Sequence, residues 1–175
     1  MSDEIREPNA AEGGAGAPPE ENQSNRVYDR ATREYSSDTI KVQWYASRCI
    51  HSAACIRALP QVFDPRQRPW VKVDAANADA IADAVVKCPT GALHFVRNDG
   101  GAQEQPPPAV TVTPVRNGPF LIQGQVQITD ASGQIVRDDW RVALCRCGRS
   151  KRLPFCDNTH RALGIRIDDD AEAGP

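Results

Sequence analysis

Apolar and polar side chains alternate from Thr39 to Tyr45 (TIKVQWY), the two-residue period of a half-buried strand. A cysteine-bearing loop from Cys49 to Cys55 follows and leads into a short predicted helix. Pro60, Pro65 and Pro69 interrupt what comes next, because proline removes a backbone donor and fixes its own φ. Trp70 to Val73 then reads as a second strand. From Asn77 to Lys87 the period changes, with Ile81 and Val85 four apart on one helical face, and either Asp74 or Asn77 can cap the start. Cys88-Pro89 ends this helix, and Ala92 to Val96 reads as a third strand.

Beyond residue 108 the pattern is almost wholly of strand type. Val110 and Val112 alternate with threonines, Asn117-Gly118 signals a turn, and Phe120 to Thr129 alternates again, with Val126 and Ile128 on one face. Asp130 to Gly133 is a turn, and Ile135-Val136 and Arg141 to Leu144 are two short strand candidates. Between the two patterned blocks lies NDGGAQEQPPP, whose prolines favour extended geometry. Residues 1–36 are rich in Gly, Pro, Glu, Asn and Ala and hold too little apolar surface to offset ordering entropy. The expected organisation is a disordered tail over 1–36, a small α+β domain over 37–97, a linker over 98–108 and a small β-rich domain over 109–175. The expected fold class is α+β.

Composition narrows the function classes. The 175 residues carry 21 basic and 23 acidic side chains, so the chain as a whole offers no pull toward nucleic acid or an anionic membrane surface. No run approaches the roughly 18 apolar residues of a membrane span. The opening MSDEIREPNA carries acids and lacks an apolar stretch, so no signal peptide is expected and a cytoplasmic location is. With few aromatic residues, two small cores are expected, and small cores benefit from a metal centre.

The six cysteines are Cys49, Cys55, Cys88, Cys145, Cys147 and Cys156. In a secreted protein they could form three disulfides; in a reducing compartment clustered cysteines more often bind metal. The segment CRCGRSKRLPFCDNTH, from Cys145 to His160, offers three thiolates and one imidazole, which suit zinc and iron–sulfur clusters alike. A single residue between Cys145 and Cys147 is closer than the two to four that zinc sites usually use.

This segment resembles the CDGSH iron–sulfur domain family, the mitoNEET-like proteins. Cys145, Cys147, Ser150, Pro154, Cys156, Asp157, Thr159 and His160 stand in register with the family pattern Cys-x-Cys-x2-(Ser/Thr)-x3-Pro-x-Cys-Asp-Gly-(Ser/Thr)-His. Asn158 replaces the usual glycine and tolerates left-handed backbone better than most residues. The strand region around NGPFLIQGQVQITDASG is also similar, so the resemblance covers roughly residues 109–165. It implies a 2Fe–2S cluster with Cys145 and Cys147 on one iron and Cys156 and His160 on the other. It further implies a reduction potential raised by the neutral imidazole, and lability in acid when His160 is protonated. Arg141, Arg146, Arg149, Lys151 and Arg152 surround this loop in sequence, either to favour an anionic cluster or as a solvated basic surface.

The earlier set resembles the divergent single-cluster 4Fe–4S domain family. The matching features are Cys49-x-His51-x3-Cys55, Val62-Phe63-Asp64, Pro69-Trp70-Val71 and Cys88-Pro89-x-Gly91-Ala92. Cys49, Cys55 and Cys88 are the implied ligands of a 4Fe–4S cluster, within a small ferredoxin-like domain. Ser52 stands where a further cysteine would be. His51 or Ser52 is the candidate fourth ligand, and a 3Fe–4S cluster results if neither serves. His94, beside Phe95 in a strand, reads as structural.

The expected function is electron transfer, or storage and delivery of clusters to an acceptor protein, with a redox or cluster-acceptor protein as partner. No catalytic residue, nucleotide motif or nucleophile elbow is recognised, so the chain is not expected to be an enzyme in itself. A zinc-stabilised interaction module and an oxidoreductase with an open iron are the alternatives. Monomer and homodimer are both compatible with the sequence.

Overall fold

A computed structural model of the chain describes residues 31–167. The expected tail therefore lies outside the described residues up to residue 30. Its last part does not behave as a tail, because Arg33–Ser36 forms an edge strand, β1. Tyr35 is the reason. It is buried, and its ring meets Trp70 edge-on at 6.4 Å, so one aromatic anchor draws this polar segment onto the sheet.

β1 pairs antiparallel with β2 (Ile40–Trp44), and β2 pairs antiparallel with β3 (Leu93–Arg97). The inward positions of β2, Ile40 and Val42, are fully buried, as the alternation of TIKVQWY requires. They meet α2 (Ala78–Val85), whose buried positions include Ala78, Ile81, Ala84 and Val85. Asn77, not Asp74, caps α2, its side chain accepting from the Ala80 amide at 2.8 Å. Phe63, Val62 and Val71 complete this core. The expected strand at Trp70 to Val73 does not form. Val71 makes a single isolated bridge to Phe63, and Val73–Ala75 is a 3₁₀ turn. Those apolar residues are buried by a looped segment, which has the burial of a strand without its ladder.

The second sheet runs β4 (Thr111–Pro114), β5 (Phe120–Thr129) and β6 (Ile135–Leu144), all antiparallel. Asn117 adopts φ 51° at the predicted turn, and Asp130 closes the β5–β6 turn by accepting from the Ser132 and Gln134 amides. Where two short strands are expected, one ten-residue strand forms. The sequence reads as broken because Arg137, Asp139 and Arg141 interrupt the apolar pattern. Each is buried, and with Ala143 they share the face of β6 turned toward the first sheet.

That charged face joins the two halves. Arg137 donates to the Thr90 carbonyl and Arg141 to the carbonyls of Val85 and Leu93. Asp139 lies between Arg48 (2.9 Å) and Arg137 (3.2 Å), with His94 at 3.4 Å. The segment 98–108 does more than span a gap. Its Glu104 is buried, paired with Arg141 and with His94, and accepts from the Phe95 amide. Gly91 completes the fit. With φ +62°, it lies so close to β6 that an added Cβ would fall 2.9 Å from the Arg141 carbonyl oxygen and collide with the Asp139 carboxylate. The described residues include no helix long and apolar enough to cross a membrane.

Candidate metal centres

All six cysteines are free thiols, grouped in two sets as the sequence suggests. In the later set, β6 ends at Leu144 and delivers Cys145 and Cys147 on the following loop, their sulfurs 3.6 Å apart. A metal ion with tetrahedral bonds of about 2.3 Å holds two sulfurs about 3.7 Å apart. The loop returns to the sheet where Cys156 donates its amide to the Ala143 carbonyl, and the Cys156 sulfur lies 3.8 Å from Nδ1 of His160. His160 sits in the short helix α3 (Thr159–Ala162) and is buried, as is Cys156. The four donors thus form two pairs, each at the separation of two ligands on one ion. Among the described residues no three His, Cys, Asp or Glu donors converge on a single point.

The loop is held by its own polar side chains. Asp157 accepts from the amides of Lys151 and Thr159, and Ser150 donates to the Phe155 carbonyl while accepting from the Arg152 amide. Burial opposes the charge on Asp157, but its bonds from Thr159 and Lys151 prevail and hold the carboxyl well below its usual range. Asn158 takes φ 71°, the left-handed geometry expected where the family pattern has glycine, and aims its amide at the Cys156 sulfur. Burial resists the Cys145 thiolate, yet the amides of Ser150, Gly148 and Cys147 outweigh it and lower the thiol's pKa. Burial raises the Cys156 thiol and, together with Arg161, lowers the His160 ring, which favours neutral imidazole and so an available nitrogen donor.

The earlier set is built from three elements. Cys49 follows a 3₁₀ turn, Cys55 lies in the short helix α1 (Ala54–Ala58), and Cys88 lies just past the end of α2. His51 (φ 53°) and Ala53 (φ 58°) are both left-handed, which curls the loop so that the His51 amide points at the Cys49 sulfur at 3.4 Å. The three thiols are close enough that Cys88 raises both Cys49 and Cys55 after burial has done so, carrying Cys55 to about 11. Left alone, Cys49 and Cys55 would be neutral at pH 7, so a bound metal is what would make these two thiolates. His51 is exposed, with Nδ1 3.9 Å from the Cys49 sulfur. Ser52 instead turns its hydroxyl to the Ala54 amide at 3.4 Å.

The two sets adjoin. Ile50, next in sequence to Cys49, is buried in one cluster with Ala143 and Cys156. Arg152, from the later loop, acts electrostatically on the Cys49 thiol. Not all the expected basic neighbours belong to the site. Arg141 is buried in the interface between the halves, and Arg146 donates to the Val115 carbonyl and lies over the Phe120 ring. The sequence pattern gave no sign of Arg48, Glu104 and Asp139, the residues that bring the two sets together, because charged residues at alternate strand positions ordinarily mark a solvated face.

Two segments of the chain each match a known family. Residues 35–98 match the family described as divergent 4Fe-4S mono-cluster, and residues 117–161 match the iron-binding zinc finger of CDGSH type. Among individual proteins, the chain is similar to YjdI of Escherichia coli, named an uncharacterized protein, in strain K12 and in O157:H7. Each is 28% identical over 69 residues, which cover 39% of this chain and 91% of the relative.

Proposed function

We propose that the chain is a one-electron transfer protein with two iron–sulfur centres. Cys145, Cys147, Cys156 and His160 would hold a 2Fe–2S cluster. Cys49, Cys55 and Cys88, with His51 as fourth donor, would hold a 4Fe–4S cluster. The observation that carries this reading is that the later donors stand in two pairs, at 3.6 and 3.8 Å, while among the described residues no three donors converge on one point, which favours two adjacent irons over four ligands around one zinc. Bound there, the clusters would supply reversible one-electron chemistry. The chain's own residues position them. Amides of Asn158, Arg149 and His51 point at sulfurs and favour their anionic form. Ile50, next to Cys49, is buried in one cluster with Cys156, so the two sets adjoin, which supports a joint redox role over two unrelated structural sites.

Iron, sulfide and zinc analysis of anaerobically purified protein tests the proposal, together with its visible spectrum. A brown protein with about six irons and matching sulfide per chain is expected. About two irons on reconstitution would leave only the later centre. A colourless protein with stoichiometric zinc and no sulfide would replace the proposal with a structural zinc module.

A further inference from the structure

A cavity of about 350 Å³ opens between the two halves, within the size range of small-ligand sites and at the kind of boundary where they concentrate. Of the eight cysteine and histidine donors assigned above, only Cys156 reaches its wall, so it is a different space from either metal site. Part of its lining is cationic. Arg48 and Arg137, whose side chains are 7% and 8% exposed, are held in place by Asp139 behind them. Lys151 and Arg152 stand on the later metal loop. Among the described residues neither of these two makes an ion pair with another. The lining has one carboxylate, Asp130, whose Oδ1 is engaged by the Ser132 amide and hydroxyl and the Gln134 amide.

Apolar side chains complete the lining, chiefly Val136, Leu153 and Phe155, with the Arg137 guanidinium 5.1 Å from the Phe155 ring centre. Water alone would satisfy the cations and leave these side chains wet and unpaired; a bare inorganic anion would do the same. The geometry points to a binding site for a small organic anion, a carboxylate or phosphate carried on a planar or apolar body. The anionic group would meet Lys151 and Arg152 in the field of the two buried guanidinium groups, and the body would lie on Phe155 and Val136. An occupant there would touch both the loop that carries Cys156 and the turn that precedes Cys49, a placement from which it can sense or bias both halves. The inference stands on the cavity and its charges and does not depend on which metal the chain carries.

Titration calorimetry on the full chain as purified tests it, with benzoate, phenyl phosphate and the neutral benzamide as probes. At least one anion is expected to bind one to one, tenfold or more tighter than benzamide, and comparison of the two anions distinguishes a carboxylate from a phosphate site. The charge reversals Lys151→Glu, at an exposed position, and Arg152→Glu, at a half-buried one, should each weaken it at least tenfold. Val136→Trp, which fills the cavity and keeps every charge, should abolish it, and unchanged circular dichroism would show that each variant is folded. Absence of saturable binding by either anion, equal binding of benzamide, or binding that persists in folded Val136→Trp would each overturn the assignment.

Discussion

His51 and Ser52 compete for one role, and their surroundings separate them. The Ser52 hydroxyl faces its own loop amide, whereas the exposed His51 ring lies beside the Cys49 sulfur. Oxygen is also the harder donor and the poorer partner for a cluster iron. His51→Ala is therefore expected to lower the iron content of the first site by about one atom and to produce the paramagnetic signature of a three-iron cluster in the oxidised protein. Ser52→Ala should leave both iron content and spectrum unchanged. If Ser52→Ala and not His51→Ala removes iron, the assignment reverses. Asn158 shows how a departure from a motif can be tolerated. Its φ of 71° is costly for most side chains and mild for asparagine, so the turn over Cys156 survives without glycine.

Among the elements, α2 sets the position of Cys88, because its C-terminal end leads directly into that residue. Burial of Ile81 and Val85 fixes its face, and Asn77 fixes its start through the bond to the Ala80 amide. Asn77→Ala removes that cap and should lower stability by about 1 kcal/mol, read as a shift of the urea midpoint at constant slope. A change above about 2 kcal/mol would mean that Asn77 does more than cap. β6 is the other decisive element. One face carries Arg137, Asp139, Arg141 and Ala143 into the interface, and its end releases Cys145. A single strand thus docks the first half and positions the second metal loop.

At the scale of the whole molecule, a buried polar network holds the halves together. Buried charges stabilise only when paired, and these are paired across the interface by Glu104, Asp139 and backbone carbonyls. His94 sits at the centre, with Glu104 at 3.0 Å, Asp139 at 3.4 Å, the Arg141 guanidinium at 3.4 Å, and the rings of Tyr45 and Trp140 edge-on. Burial works against a charged ring, but the bonds to Asp139 and Glu104 outweigh it and raise the His94 pKa. The folded state therefore holds this proton more tightly than the unfolded chain. The resulting stability is complete below the unfolded value of about 6.5 and is lost as pH rises through the raised folded value. The difference in thermal midpoint between the natural chain and His94→Gln should be largest near pH 6 and shrink on the alkaline side. A difference that grows with pH would show that His94 is buried neutral.

Much of this protein was legible as sequence because the signals are local. Alternation gave β2, β3 and β5, the four-residue apolar spacing gave α2, and the turn residues Asn117 and Asp130 mark real turns. The spacing of Cys145, Cys147, Cys156 and His160 marked one candidate set, since residues on one short loop are brought together by that loop alone, whereas Cys88 joins Cys49 and Cys55 only through the packing of α2. Long-range burial decided the rest. Tyr35 makes a strand of a segment whose composition reads as a tail. Arg137, Asp139 and Arg141 read as a break in a strand because their partners, the carbonyls of Val85, Thr90 and Leu93 and the carboxylate of Glu104, are more than 30 residues away or on the other half. The nearness of Cys49 to Cys156 through Ile50, and the cationic cavity beside them, exist only once those charges have been buried together. The sequence by itself determined the two sets of candidate donors; the tertiary structure decided that they adjoin, because charge pairing across distant segments leaves no periodic trace along the chain.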